Sequence, residues 1–132
     1  MKINTPPVIL IGMHRSGTSM LSHALESLGL FQGLRKDENN ESFHFIKLNN
    51  WLLHNCGARW DFPRVIHPKM FTENLLDEIV EYLKMQIFEI NSIKFFGFYK
   101  PVFWGWKDPR NTLTLAIWLK IFPDAKVLNI TR

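Results

Sequence analysis

The stretch Val8-Ile-Leu-Ile-Gly-Met-His-Arg-Ser-Gly-Thr-Ser19 decides the fold. Its first four residues are apolar and three of them are β-branched, which is typical of a strand covered on both faces. Gly12 ends this run, Gly17 closes the following loop, and from Thr18 the apolar residues recur at helical spacing until Gly29. A strand, a glycine-bracketed loop and a helix form the opening unit of an α/β domain.

The remainder of the chain alternates in the same way. Its apolar periodicity predicts helices over about 43–55, 72–90 and 111–121, and short strands over 102–106 and 125–130. Asn111 is the expected N-cap of the third of these helices. Strands that alternate with helices pair in parallel through right-handed crossovers. The predicted fold class is therefore α/β, a three-layer, P-loop-like fold with a parallel sheet flanked by helices.

Composition narrows the class of protein. The chain has 132 residues, 46% of them hydrophobic and 21% charged, which fits one globular domain over residues 1–132. No apolar run approaches the roughly 20 residues of a membrane-spanning helix, and the N-terminus has no secretory-signal pattern. Cys56 is the single cysteine, so an intrachain disulfide is excluded and a reducing, cytoplasmic location is expected.

The net charge of +4 is compatible with an anionic partner. The basic residues are scattered along the chain, whereas a nucleic-acid binder concentrates them in a stripe, so no nucleic-acid role is expected. Large aromatic side chains more often fill a core than form a binding platform. That expectation covers all five tryptophans, Trp51, Trp60, Trp104, Trp106 and Trp118.

Three segments with anion-binding chemistry follow the three predicted strands. They are Gly12–Thr18, Lys107–Arg110 and Thr131–Arg132. In open α/β sheets, ligands bind beyond the carboxyl ends of the strands, and parallel strands bring those ends to one edge. The sequence thus predicts an anion site at that edge.

Residues 12–19 match the P-loop spacing G-x-x-x-x-G-K-[ST] in both glycines and in Ser19. The lysine position is Thr18, and Arg15 lies within the loop instead. Because that lysine spans the β- and γ-phosphates of a nucleoside triphosphate, its absence disfavours a triphosphate ligand. Backbone N–H groups and two hydroxyls can still hold one 5′-phosphate, and the arginine fork can bind the oxygens of an attached sulfuryl group.

These residues carry a family resemblance. Residues 12–19 resemble the 5′-phosphosulfate loop of sulfotransferases that use 3′-phosphoadenosine 5′-phosphosulfate (PAPS), in the branch where Arg-Ser-Gly-Thr replaces Lys-Ser-Gly-Thr. Trp106–Arg110 resembles the K-D-P-R element of that branch, and Phe122–Arg132 resembles the strand whose final arginine grips the 3′-phosphate. In the family that strand continues into a segment with a serine that completes the 3′-phosphate site. The resemblance therefore implies a truncated, PAPS-binding N-terminal portion that could be inactive alone.

The resemblance implies sulfuryl transfer from PAPS to a hydroxyl or amine, with no metal ion. Arg15 would stabilise charge on the sulfuryl and bridging oxygens. The 5′-phosphate would be held by Ser16, Gly17, Thr18 and Ser19, and the donor-binding loop would also include Gly12 and His14. Arg132 would hold the 3′-phosphate. Lys107 and Arg110 could support either end of the donor, and the alternative for Arg110 is a salt bridge to Asp108.

Two side chains are candidates for the base that removes the acceptor's proton. Glu41 lies in the loop that approaches the acceptor in the resembling branch, and the alternative is a surface carboxylate or an N-cap. His44 has the better unperturbed pKa for a base at neutral pH, and the alternative is a structural histidine. Asp108, after an apolar strand, also suits a Mg²⁺ ligand.

Other functions remain open at this point. The acceptor can be a carbohydrate, a lipid or a peptide, because specificity in such folds lies in loops. The rival enzyme is a degenerate P-loop nucleotide kinase or ATPase, which would need Mg²⁺ and prefer ATP. The rival from another class is a non-catalytic, truncated α/β interaction domain.

Overall fold

The computed structural model describes residues 5–12, 18–34, 36–37, 41–56, 65–89, 92–97 and 103–129. Within these ranges, three strands form a parallel sheet in the order β2-β1-β3, namely β1 (Val8–Ile11), β2 (Gly105–Lys107) and β3 (Lys126–Asn129). The α-helices described between β1 and β2 are α1 (Thr18–Ser27), α2 (Phe43–Asn55), α3 (Glu73–Lys84) and α4 (Ser92–Phe96). Helix α5 (Asn111–Ile121) separates β2 from β3. The predicted fold class is confirmed.

The central strand β1 is buried on both of its faces. Val8 and Leu10 pack with Leu21 and Leu25 of α1 on one side of the sheet. Ile9 points the other way, into the main core that α2, α3 and α5 build. Successive strand side chains alternate between faces, so an unbroken apolar run is what a strand between two helical layers requires.

The main core is rich in aromatic rings. Trp104, Trp106 and Trp118 have no exposed surface, which confirms the expectation for these three tryptophans. The rings of Phe45 and Trp106 stack with their centroids 3.8 Å apart and join α2 to β2. Trp51 is only half-buried, and Trp60 lies outside the described residues.

Local capping fixes where two of the helices begin. The Ser42 side chain accepts a hydrogen bond from the Phe45 N–H at the start of α2, and Thr72 caps the Leu75 N–H at the start of α3. The helical run predicted over 72–90 is realised as α3 followed by a π-helical segment, Met85–Glu89. Helix α4 was not predicted. No helix in the described part of the chain combines the length and apolar character needed to cross a bilayer.

The expectation that Asn111 caps α5 was wrong. Asn111 is the first residue of the helix, Arg110 occupies the cap position, and no side chain makes a cap hydrogen bond there. The Asn111 amide instead points inward, donates to the Leu10 carbonyl at 3.0 Å and accepts from Trp106 Nε1 at 2.9 Å. Asn111 thus ties α5 to β1 and β2, because a buried amide gains more from these partners than from the helix end.

Glycine at position 105 is required by the spacing of β1 and β2. Gly105 pairs with Val8, and a Cβ on Gly105 would lie 2.0 Å from the Val8 carbonyl oxygen. Any larger residue would push the two strands apart. The same parallel register pairs Leu10 with Lys107, so the carboxyl ends of β1 and β2 lie side by side.

Candidate functional site

The carboxyl ends of the strands lie along one edge of the sheet, as predicted. Because β1 lies between β2 and β3 and all three are parallel, Gly12, which follows β1, and Lys107, the last residue of β2, lie at neighbouring strand ends. Among the predicted donor-binding residues, His14, Arg15, Ser16, Gly17 and Arg132 lie outside the described residues, and only the backbone is described for Thr18 and Ser19. The described part of the site therefore consists of Gly12, Glu41 and the segment 107–110.

Gly12 begins the turn that leaves β1. It is buried and has a φ of 144°, in the region that favours glycine. Helix α1 starts at Thr18, and residues 13–17, which lie between Gly12 and this helix in the sequence, are outside the described residues. Backbone N–H groups at the start of a helix that follows such a turn favour anions.

Glu41 and Lys107 form a buried ion pair at this edge. Glu41 Oε1 and Lys107 Nζ are 3.6 Å apart, and the side chains are only 4% and 3% exposed. This separation is too long for a hydrogen bond, and Glu41 Oε1 accepts none from the residues that the structure describes. A carboxylate oxygen is thus held in the interior with unused capacity to accept a proton.

Burial is the largest influence on Glu41 and, with the carboxylates of Asp108 and Asp37, raises its pKa from 4.5 to about 7. The positive charges of Lys107 and Arg110 act in the opposite direction and lower this pKa. A carboxyl whose pKa lies near neutrality exists in both protonation states at physiological pH. That property suits a group that takes up and releases a proton during each turnover.

Asp108 fixes the position of Arg110. The buried Asp108 carboxylate accepts hydrogen bonds from the Arg110 backbone N–H at 3.0 Å and from Arg110 Nη1 at 2.9 Å. The salt bridge anticipated as an alternative role for Arg110 is therefore present. About a third of the Arg110 side chain, 36%, remains exposed, so its guanidinium still has surface available to an anion at the strand end.

Asn49 of α2 holds Asp108 from the other side. Its Nδ2 donates to Asp108 Oδ2 and to Asn111 Oδ1, each at 2.9 Å. Its Oδ1 accepts from Thr114 Oγ1 at 2.7 Å and from Trp118 Nε1 at 2.9 Å. One fully buried amide therefore connects α2, α5 and the turn after β2, and it fixes the segment that carries Lys107 and Arg110.

His44 occupies a different environment. Its Nε2 lies 3.0 Å from the Gln86 carbonyl oxygen, and since a carbonyl only accepts, Nε2 carries the hydrogen. Burial is the main cause that lowers the His44 pKa, and the Lys94 and Lys47 ammonium groups lower it further, while the Gln86 carbonyl raises it. His44 lines a cavity beside α2 and α3 together with Phe43 and Lys47. The two candidate bases thus lie in two different settings.

Sequence reasoning missed Asn49 and Asp37. Asp37 Oδ1 accepts a hydrogen bond from the Glu41 backbone N–H at 2.9 Å and helps to position the carboxyl-bearing loop. A signal for Asn49 was available in the pattern, because it lies on the same helical face as the buried Phe45 and Leu52. A polar side chain on an apolar face implies buried hydrogen-bond partners.

Two substitutions should move the Glu41 pKa in opposite directions. In Asp108→Asn the loss of a neighbouring negative charge lowers the pKa below about 7, and in Lys107→Met the loss of a positive charge raises it above that value. The measurement is a titration of the ¹³C-carboxyl resonance of Glu41 in each variant. Shifts of the same sign in both variants would contradict the electrostatic description of this site.

In the described ranges, no three His, Cys, Asp or Glu side chains come together as a set of metal ligands. A sequence model of the family described as "Sulfotransferase family" matches residues 6–132. Searches of curated proteins and of solved structures returned no match. The family match includes both the Gly12 turn and the segment 107–110 described above. By this match over nearly its entire length, the chain belongs to the sulfotransferase family.

Proposed function

We propose that this protein binds PAPS at the carboxyl ends of its strands and transfers the sulfuryl group to a hydroxyl or amine acceptor. The single observation that carries the proposal is the buried Glu41 carboxyl, which lies 3.6 Å from Lys107 and has a pKa of about 7. It lies at the sheet edge from which the Gly12 loop departs. Membership of the sulfotransferase family supports the same reaction.

Each part of the donor has a proposed partner. The loop of residues 12–19 holds the 5′-phosphate through backbone N–H groups and the Ser16, Thr18 and Ser19 hydroxyls, with His14 lining it. Arg15 binds the sulfuryl and bridging oxygens, and Arg132 binds the 3′-phosphate. Lys107 and Arg110 add positive charge at the neighbouring strand end, where the developing negative charge of the leaving phosphate needs stabilisation.

Chemically, the reaction is an in-line displacement at sulfur. The acceptor oxygen or nitrogen forms a bond to sulfur while the bond between sulfur and the bridging phosphate oxygen breaks. The electron pair of the broken bond stays on the phosphate, which leaves as 3′-phosphoadenosine 5′-phosphate (PAP). The acceptor's proton passes to the Glu41 carboxylate. The phosphate leaves as an anion, so the donor side requires charge stabilisation and not a proton.

Geometry favours Glu41 over His44 as the base. Glu41 lies beside Lys107, close to where the donor is proposed to bind, whereas Nε2 of His44 is engaged by the Gln86 carbonyl. The lowered pKa of His44 also makes it a weaker proton acceptor, while the raised pKa of Glu41 makes that carboxylate a stronger one. We therefore assign proton removal to Glu41 and place His44 in the wall of the adjoining cavity.

Calorimetry with PAP tests the donor assignment. We expect binding in the presence of EDTA, because the loop and its arginine neutralise the phosphate without a divalent ion. Arg15→Ala should weaken PAP binding about ten-fold, the size expected for a lost charge-assisted hydrogen bond. Lys120→Ala, at an exposed position on α5, is the control that should leave affinity unchanged.

Two outcomes would overturn the proposal. One is the absence of PAP binding, or binding that Arg15→Ala does not affect. The other is binding of ATP that requires Mg²⁺ and exceeds that of PAP, which would favour the nucleotide kinase or ATPase alternative.

A further inference from the structure

A cavity of about 550 Å³ lies between α2, α3 and the π-helical segment Met85–Glu89. This volume lies in the range of sites for small organic ligands. The cavity begins at Phe43 and His44 in the first turn of α2, two residues after Glu41 in the sequence. It follows α2 as far as Trp51.

Positive charge dominates the cavity wall. Lys47 and Lys94 both line it, and none of the described lining residues is acidic. Both ammonium groups also lower the pKa of His44, which lines the same cavity. An anionic group on a ligand would therefore be attracted into this cavity.

Aromatic rings form another part of the wall. Trp51 and Tyr82 line the cavity and stack on each other with centroids 4.3 Å apart and an angle of 26° between their planes. Tyr82 keeps 37% of its surface exposed. The two rings cover each other's inner faces, and the part of the pair that stays exposed offers an apolar surface for one face of a ligand ring.

One hydrogen bond joins two elements of the cavity wall. The hydrogen bond that His44 Nε2 donates to the Gln86 carbonyl links α2 to the π-helical segment, and Gln86 itself lines the cavity. π-helical segments are rare and occur frequently at functional sites.

We propose that this cavity is the acceptor subsite and that it takes an anionic glycoside, with the ligand carboxylate between Lys47 and Lys94 and a sugar face on Trp51 and Tyr82. The assignment as acceptor subsite rests on the proposed sulfuryl transfer, which requires a hydroxyl or amine on the ligand. A uronic acid glycoside combines that hydroxyl with a carboxylate and an apolar ring face. Glu41 precedes Phe43, the first cavity residue, by two positions, and the proposal places the acceptor hydroxyl at that end of the cavity.

Binding of two matched glycosides tests this assignment. The probes are p-nitrophenyl glucuronide and p-nitrophenyl glucoside, which differ only in the carboxylate at the sixth carbon. We expect the glucuronide to bind about ten-fold more tightly, by calorimetry at low salt. Lys47→Ala and Lys94→Ala should each weaken glucuronide binding about five-fold and leave glucoside binding unchanged, and Lys120→Ala should change neither.

The affinity for PAP, measured on the same samples, separates this proposal from the donor assignment. If PAP binds but the two glycosides bind equally, or the lysine variants have no selective effect, the acceptor subsite is wrong and the donor site stands. If the lysine-dependent preference for the glucuronide is present and PAP does not bind, the anionic-glycoside site stands and the donor assignment fails. Equal affinity for 4-hydroxybenzoate and the glucuronide would overturn the choice of a glycoside.

Discussion

Glu41→Gln lowers kcat for sulfuryl transfer by roughly 10²–10³-fold, the contribution typical of a general base. The amide is nearly the same size as the carboxyl but cannot accept the acceptor's proton. The measurement is PAP released from PAPS with p-nitrophenyl glucuronide as acceptor. PAP affinity should not fall, because Glu41 is not assigned to donor binding and its loss leaves the Lys107 charge without this carboxylate.

The pH profile provides a second readout of the same group. With a Glu41 pKa of about 7, the unsubstituted protein gains activity as the pH rises through 7, since only the carboxylate can accept a proton. Glu41→Gln should lose this dependence. Glu78→Gln, at an exposed position on α3, is the matched control and should retain both kcat and the profile. Full activity in Glu41→Gln would show that another group removes the proton.

The stability of the protein should also depend on the ionisation of Glu41. The unfolded chain loses the Glu41 proton near pH 4.5 and the folded chain near 7, so burial of the charged form destabilises the folded state increasingly as pH rises between these values. In the Glu41→Gln variant the side-chain amide carries no such charge. Between pH 4 and pH 8, the free energy of unfolding of the unsubstituted protein should therefore fall by roughly 3 kcal/mol relative to that of the Glu41→Gln variant.

Asn49→Leu has the largest expected effect on stability. The substitution keeps the branching and the number of heavy atoms of the side chain and removes all four hydrogen bonds of the Asn49 amide. It leaves buried polar groups of Asp108, Asn111, Thr114 and Trp118 with fewer partners. We expect a loss of about 3–5 kcal/mol, a large part of the stability of a typical domain.

Urea unfolding measures this loss, and the neighbouring residue provides the control. Asn50 has the same side chain one position along α2 but is exposed, so Asn50→Leu should change stability by no more than about 0.5 kcal/mol. A similar small change for both variants would mean that the Asn49 network does not stabilise the fold.

The parts of the fold predicted from the sequence are those with a strong local signal. The apolar run of β1 indicates a buried strand, and the spacing of apolar residues in α2 indicates a helix. The bounds predicted for α2, 43–55, coincide with Phe43–Asn55. Polar side chains with distant partners were harder to interpret. Asn111 matched the residue type of an N-cap, yet its partners lie on β1, β2 and α2, and no local pattern carries that information.

The candidate site also has features that the sequence could predict and features that depend on contacts across the fold. The edge of the sheet could be predicted because parallel strands always end together, so Gly12 and Lys107 were identified from their positions alone. The choice between Glu41 and His44 depended on burial and on contacts made across the fold, by Lys107 for one and Gln86 for the other. The cavity beside α2 also depends on how the π-helical segment packs, so it had no signature in the sequence.

A crystal structure of the PAP complex, grown with EDTA, tests the central claim most directly. We expect the 5′-phosphate at the carboxyl end of β1, within hydrogen-bonding distance of backbone N–H groups of residues 12–19 and in contact with the Arg15 guanidinium. PAP bound elsewhere on the protein, with this loop making no contact to phosphate, would contradict the account.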